Sequence, residues 1–251
     1  MTIDINCDMG ESYGNHIIGN DALIMPYITS TNIACGFHGG DAYHIEKTID
    51  LALENRVAIG AHPSYPDLQG FGRRKMSLKK DELQSMIKYQ VAAVKGMVES
   101  KGGKLHHVKP HGALYNSIAN DDQEAKQVVE AVKSISPDAF FLGLAGSQLS
   151  QICEYYQMKF IAEAFIDRRY TNEGKLVSRN LPDATIEVPD LASKQVLNLI
   201  LNKKLKTNDG ASLSIDAKSL CIHGDNPKAV EILQYLDKAF DENGIKKQTF
   251  R

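Results

Sequence analysis

The sequence predicts an α/β fold, a parallel sheet of about seven strands with helices laid outside it. Two observations carry this. Short apolar or alternating runs recur along the chain, and most are followed by a segment of helical periodicity. The titratable residues cluster after strands and not after helices. Ligands bind at the carboxyl ends of strands in closed β/α barrels and in open parallel sheets alike, so these residues point to one shared mouth.

The first strand is set by Ile3, Ile5 and Cys7 alternating with Asp4, Asn6 and Asp8. Its polar face ends at Asp8, and Glu11 lies just beyond. Asn32 to Cys35 forms the second strand, closed by a glycine-rich turn that carries His38 and Asp41. A helix fits Ala42 to Glu54, with Ile45, Ile49, Ala52 and Leu53 on one stripe. Val57 to Gly60 is the third strand, ended by His62-Pro63. The loop from Ser64 to Lys75 holds Arg73 and Arg74, a candidate lid or anion clamp. The next helix carries Leu83, Met86, Ile87, Val91, Val94 and Val98 on one face and stops at Gly102-Gly103.

The fourth strand runs from Leu105 into Lys109 and must end near Pro110, because proline cannot donate to a sheet ladder. Alternate side chains of a strand share a face, so His107, Lys109 and His111 point one way. Asp121 or Asp122 can cap the helix bearing Ala125, Val128, Val129, Val132 and Ile135. Ala139 to Leu144 is an apolar fifth strand of the kind buried on both faces. Gly146-Ser147 turns into a short helix to Tyr156. Lys159 to Asp167 is the sixth strand, with Glu163, Phe165 and Asp167 on one face and Arg168 following. Thr171 to Asp190 reads as a long irregular loop carrying Arg179, and a helix fits Leu191 to Asn202. Ser219 to Ile222 is the last strand, closing on His223-Gly224-Asp225. Asn226 suits an N-cap, Pro227 the first helical position and Gly244 the position past the helix end.

The composition is that of a globular protein: 251 residues, 43% hydrophobic and 24% charged, with a net charge of -2. No basic block suggests nucleic acid. No apolar run approaches the roughly 20 residues of a membrane span, and no signal peptide is readable. The four cysteines lie far apart with no CxxC, so neither a disulfide framework nor a zinc knuckle is indicated. A cytoplasmic protein is expected, a single domain over residues 1–251, with a homo-oligomer left open.

Several chemistries are excluded by motif. There is no GxxxxGK[ST] phosphate loop, no GxGxxG after the first strand, no HExxH and no GxSxG. What remains is carboxylates, histidines, lysine and arginines around a polar pocket. That set suits hydrolysis by an activated water, with cations holding an anionic substrate. It also suits a divalent metal, since three histidines with an aspartate make a common ligand set. Asp8, His38, His62 and His111 are the candidates, although their spacing does not secure them.

The runs Asn6-Cys7-Asp8-Met9-Gly10-Glu11, Asn32 to Asp41, Gly60-Ala61-His62-Pro63 and Gly70 to Arg74 resemble the LamB/YcsF family. So do Val108 to Asn116, Glu163 to Tyr170 and Cys221-Ile222-His223-Gly224-Asp225. The resemblance spans nearly the whole chain, in order. Its small departures, Gly39 and Met9, touch no titratable group. It implies a distorted seven-stranded β/α barrel similar to the glycoside hydrolase/deacetylase superfamily. It also implies ATP-dependent opening of 5-oxo-L-proline to L-glutamate by a 5-oxoprolinase, with ATP and Mg2+ as co-substrate and partner subunits B and C. On this reading Asp8, Glu11, His38, Lys109, His111, Glu163 and His223 are catalytic candidates. Asp41, His62, Arg73, Asp167, Arg168, Arg179 and Asp225 are substrate-binding candidates. Two rivals stay open: a metal-dependent deacetylase or amidohydrolase on the same barrel, and a subunit that binds substrate without catalysis.

Overall fold

The computed structural model describes residues 1–250. Seven parallel strands close on themselves: β1 (Thr2–Met9), β2 (Ser30–Ala34), β3 (Ala58–His62), β4 (Leu105–Val108), β5 (Phe140–Leu144), β6 (Lys159–Phe165) and β9 (Ser219–His223). Each pairs with the next, and β9 pairs with both β6 and β1, which closes the barrel. Closure leaves these strands no free edge. Three shorter strands lie outside that ring. β7 (Lys204–Lys206) and β8 (Ser212–Ser214) form an antiparallel hairpin, and β10 (Lys246–Lys247) pairs in parallel with the start of β1.

Eight helices are α1 (Asp21–Ile24), α2 (Ala42–Glu54), α3 (Lys80–Ser100), α4 (Gly112–Ile118), α5 (Asp122–Ile135), α6 (Leu149–Tyr155), α7 (Pro189–Asn202) and α8 (Ala229–Glu242). Their apolar stripes bury the outward residues of the strands: α3 packs on α5, and α7 on α8. Among the described residues no helix is long and apolar enough to cross a membrane. All four cysteines are free and buried.

Most expected elements stand where the periodicity places them, with ends shifted by a few residues. Asp121 caps α5, accepting from the Gln123 and Glu124 amides. The last helix starts later than Asn226-Pro227 suggests. The Asn226 side chain instead accepts from the Lys228 amide, and the helix begins at Ala229. The short helices α1 and α4 and the strands β7, β8 and β10 carry too few periodic residues to be read from the sequence.

The alternation of β1 has a consequence for the whole molecule. Ile3, Ile5, Cys7 and Met9 point outward to the helices, so Asp4, Asn6 and Asp8 point into the lumen, where all three are buried. Register aligns Asp4 with Ser219 and Ser219 with Glu163, then Asp8 with Asn32 and with His223. The lumen is therefore a polar core inside an apolar shell. Such a core is stable only if its groups are hydrogen-bonded, and they are. Asn32 Nδ2 donates to Asn6 Oδ1 at 2.7 Å and to Asp8 Oδ1 at 2.8 Å. Asn6 Nδ2 donates to Glu163 Oε1 and Ser219 Oγ, both at 2.8 Å. His107 Nε2 donates to Asn32 Oδ1 at 2.8 Å. Its ring fits because β3 has no side chain at Gly60, where a Cβ would collide with the imidazole.

Candidate active site

A cavity of about 330 Å3 opens at the carboxyl ends of the strands. Asp8, His62, Lys109, His111, Phe165 and His223 line its depth. Arg73, Arg168, Arg179 and Asn180 line its rim, with Ala113, Tyr115 and Asn116 of α4 on one side.

Lys109 is the hub. Its ammonium, 1% exposed, lies 2.9 Å from Asp8 Oδ1, 3.0 Å from Glu163 Oε1, 3.1 Å from Asn6 Oδ1 and 3.0 Å from Cys221 Sγ. Burial alone would strip its proton. The charge of Asp8, with Cys221 and Glu163, outweighs that and holds Lys109 protonated well above the usual lysine range. Burial likewise works against an ionised Asp8. His62 and Lys109 overcome it and hold Asp8 well below the usual carboxylate range. Tyr115 donates to Glu163 Oε2 at 2.9 Å and is kept neutral by burial and by that carboxylate.

His223 faces Asp8 across adjacent strands. Its Nδ1 donates to Asp167 Oδ1 at 2.8 Å, which leaves Nε2 as the basic nitrogen. The ring stacks on Phe165, centroids 5.3 Å apart and 14° from parallel. Asp167 also accepts from the Asn226 side chain at 3.1 Å. Its burial would raise the carboxyl, yet His223 and these hydrogen bonds hold it below its ordinary value. A carboxylate oxygen of Asp8, Cys221 Sγ and a ring nitrogen of His223 lie within 4.8 Å of one another.

A second cluster stands beside the first. Glu11, His38, His62 and His111 are buried, with one ligating atom from each within 4.8 Å of the others. The His38 and His111 rings stack at 3.7 Å. Burial, reinforced by neighbouring imidazoles, pushes both His38 and His111 well below the usual histidine range. Burial, together with the charges of Asp8 and Asp225, pushes the Glu11 carboxyl well above its usual range.

The structure redistributes several expected roles. Of the anticipated metal set, His38, His62 and His111 come together, but their carboxylate is Glu11. Asp8 is drawn away by Lys109 and Asn32, keeping only a 3.3 Å approach from Oδ2 to His62 Nε2. Asp41 does not line the cavity. It caps α2, accepting from the His44 amide at 3.0 Å and from the Gly14 amide at 2.7 Å. Glu163 and Asp167 are buried behind the cavity wall as partners of Lys109 and His223. Arg168 lines the cavity, but its guanidinium donates to the carbonyls of Val177 at 2.6 Å and Ala184 at 3.4 Å and so pins the long loop. Its burial and the nearby Arg179 lower it to about 10. Asp225 faces cations rather than substrate, pairing closely with Arg73 and more loosely with Arg179 at 3.7 Å. Arg74 is 64% exposed and is held on Asp67.

Sequence reasoning missed Asn6, Asn32, Tyr115 and Cys221 as parts of the site. The polar face of β1 was the available signal for Asn6. Tyr115 and Cys221 had none beyond their place beside a strand end.

The fold and this site define a class: a β/α barrel with a polar, charged cavity at the carboxyl ends of its strands. The chain belongs to the LamB/YcsF family, whose sequence pattern matches residues 3–251. A relative in Shouchella clausii, the A component of a 5-oxoprolinase, is 47% identical over 97% of this chain and 96% of that one. The lactam utilization protein of Thermus thermophilus superposes with a TM-score of 0.93 over 100% of both chains at 37% identity. The catalytic domain of a peptidoglycan N-acetylglucosamine deacetylase from Eubacterium rectale shares the fold alone, with a TM-score of 0.53 at 8% identity over 100% of this chain and 88% of that one.

Proposed function

We propose that this chain, as one cytoplasmic barrel domain, is the ring-opening subunit of a 5-oxoprolinase that converts 5-oxo-L-proline to L-glutamate with ATP. It works beside partner subunits B and C. The observation that carries the reading is the approach of Asp8 to His223 at the floor of the cavity, within 4.8 Å. That gap suits one water held by both groups.

The chemistry follows from the substrate. A five-membered lactam is a poor electrophile, and transfer of the ATP γ-phosphoryl group to its oxygen makes the ring carbon attackable. The chain has no phosphate loop, so the nucleotide is held either at a non-standard site here or on a partner subunit, and phosphoryl transfer from Mg·ATP precedes the step proposed for this cavity. Here water attacks the activated carbon. His223 Nε2, with Asp167 fixing the ring, takes the water proton and returns it to the ring nitrogen as the C–N bond breaks, which leaves γ-glutamyl phosphate. A second water then cleaves that acyl phosphate to L-glutamate and inorganic phosphate. Lys109 places a fixed positive charge beside the phosphorylated oxygen. The substrate carboxylate binds at the arginine rim. Arg179 is the freer partner there, because Asp225 already holds Arg73.

The test is glutamate release from 5-oxo-L-proline with ATP and Mg2+, using both partner subunits with and without this chain. Glutamate only in the complete mixture supports the reading. ATP-independent release by this chain alone would replace it with an amidohydrolase. Unchanged turnover after His223→Ala and Asp8→Asn, with altered substrate affinity, would leave a binding subunit.

A further inference from the structure

The contact between His62 and His111 is anomalous for two neutral imidazoles. His62 Nε2 and His111 Nδ1 face each other at 2.9 Å. The other nitrogen of each ring points at a backbone carbonyl: His62 Nδ1 lies 2.6 Å from Lys109 O, and His111 Nε2 lies 2.9 Å from Phe71 O. A carbonyl only accepts, so each neutral ring carries its proton on that outer nitrogen. The facing nitrogens then present two lone pairs to each other with no hydrogen between them. Their other neighbours are carboxyl oxygens, of which Asp8 is held ionised and only accepts. Glu11 Oε1 is 3.6 Å from His111 Nδ1, and Asp8 Oδ2 is 3.3 Å from His62 Nε2. Such a group of electron pairs is favourable only around a positive charge, either a proton between the rings or a metal ion.

We infer that Glu11, His38, His62 and His111 bind one divalent transition-metal ion at the wall of the cavity. The inference does not depend on the identity of the substrate. Metal–nitrogen bonds of roughly 2.0–2.1 Å in a tetrahedral site imply ligand-to-ligand edges of about 3.3–3.4 Å. Three of the six edges here are 2.9 Å, 3.1 Å from His38 Nε2 to Glu11 Oε1, and 3.6 Å, and all six lie within 4.8 Å. Those three straddle that value, and inward movement of the rings and carboxylate closes the set around one ion. The two carbonyls act as ligating histidines require, fixing the tautomer from the far side. His38 Nδ1 is buried with no partner, so it can carry the ring proton while Nε2, now facing Glu11 Oε1, ligates. Gly72 lets the loop press onto these rings, since a Cβ there would come within 2.7 Å of the His111 ring and 2.8 Å of His38 Cβ. Three imidazoles and one carboxylate select Zn2+, Co2+ or another borderline ion over Mg2+ or Ca2+.

The rival occupant is a single proton shared by His62 and His111. Metal titration separates the two. Tag-free full-length chain is stripped with a chelator, dialysed, and titrated with Zn2+ by calorimetry and with Co2+ by visible absorption. The expected result is one ion per chain and the intense Co2+ bands of a tetrahedral site. His111→Ala and Glu11→Gln, each checked for native circular dichroism, are expected to weaken binding at least tenfold. His106→Ala, outside the cluster, is expected to leave binding unchanged. If either site variant does not fold, His38→Gln takes its place. Absence of Co2+ bands from the folded wild type, or their survival in a folded site variant, overturns the metal site. The ring-opening assignment stands or falls separately, by the glutamate assay.

Discussion

Two aspartates on the same face of the same strand, four residues apart, live under opposite rules. Asp4 sits at the floor of the barrel, where its carboxyl meets only hydroxyls: Thr29 Oγ1 at 2.6 Å, Ser30 Oγ at 2.9 Å and Ser219 Oγ. Burial pushes it up to about 6 despite those bonds. Asp8 sits at the mouth, equally buried, but Lys109 and His62 stand beside it and hold it ionised. Hydroxyls solvate a carboxylate weakly, whereas a buried cation offsets its whole charge. One lumen thus has a floor that prefers to be neutral and a mouth that stays charged. Charge is concentrated at the open, cavity end of the barrel.

The largest effect comes from turning the mouth into a second floor. Lys109→Met leaves Asp8 and Glu163 buried with no cation. Urea denaturation is expected to show a loss of about 3–5 kcal/mol, and glutamate release is expected to fall by about a thousandfold. Adding Glu163→Gln to that variant should recover part of the stability and none of the activity. A stable, active Lys109→Met protein would remove the lysine from the centre of the comparison.

The floor is tested by pH. The folded value of Asp4, about 6, lies above its ordinary 3.8. Its protonated form therefore adds stability that is complete below 3.8 and is lost as pH rises through about 6. The difference amounts to about 3 kcal/mol at the acid limit. Asp4→Asn removes this dependence. Denaturation of both proteins from about pH 4.5 to about pH 8 should show the wild type losing stability relative to the variant as pH rises. Parallel curves would mean that the hydroxyls solvate Asp4 as well as Lys109 solvates Asp8.

The mouth holds a second charge pair, Asp167 with His223, which tests whether a carboxylate there serves to orient a base. Asp167→Asn is expected to lower turnover about a hundredfold or more, with little change in the half-saturating concentration of 5-oxo-L-proline. Turnover within about twofold of wild type would show that His223 needs no orientation.

The floor-to-mouth gradient explains what the sequence could and could not reveal. Each strand end is marked twice, by a period-two run and by the glycine or proline that stops it, so the barrel and the convergence of Asp8, His62, Lys109, His111 and His223 were legible. The direction of a strand's polar face was not. Asp4, Asn6 and Asp8 read equally well as a solvated face, and only closure of the sheet turns them inward. Partner choice was also hidden. Glu11 rather than Asp8 joins the histidines because Lys109, far along the chain, captures Asp8. Asp41 could have been read as a helix cap, since it directly precedes α2. Arg168 gave no sign that it would bind loop carbonyls.

The smallest expected effect lies at the open rim, where charge is least buried and solvent screens it most. Two arginines there, Arg73 and Arg179, and a third outside the cavity, Arg74, differ in their ties. Arg73 is closely held by Asp225, Arg74 by Asp67, and Arg179 approaches Asp225 only to 3.7 Å. A substrate carboxylate that enters the cavity meets Arg179 with the least competition. Arg179→Met is expected to raise the half-saturating concentration of 5-oxo-L-proline about tenfold while turnover changes little, the signature of a lost uniform binding contact. Arg74→Met is expected to stay within about twofold on both measures, because its side chain faces solvent outside the cavity. Asp225→Asn sharpens the result, since freeing Arg73 should partly restore binding in the Arg179→Met background. If Arg73→Met alone gives the larger rise, the tight ion pair is the substrate's landing place, and Asp225 is the group that it displaces.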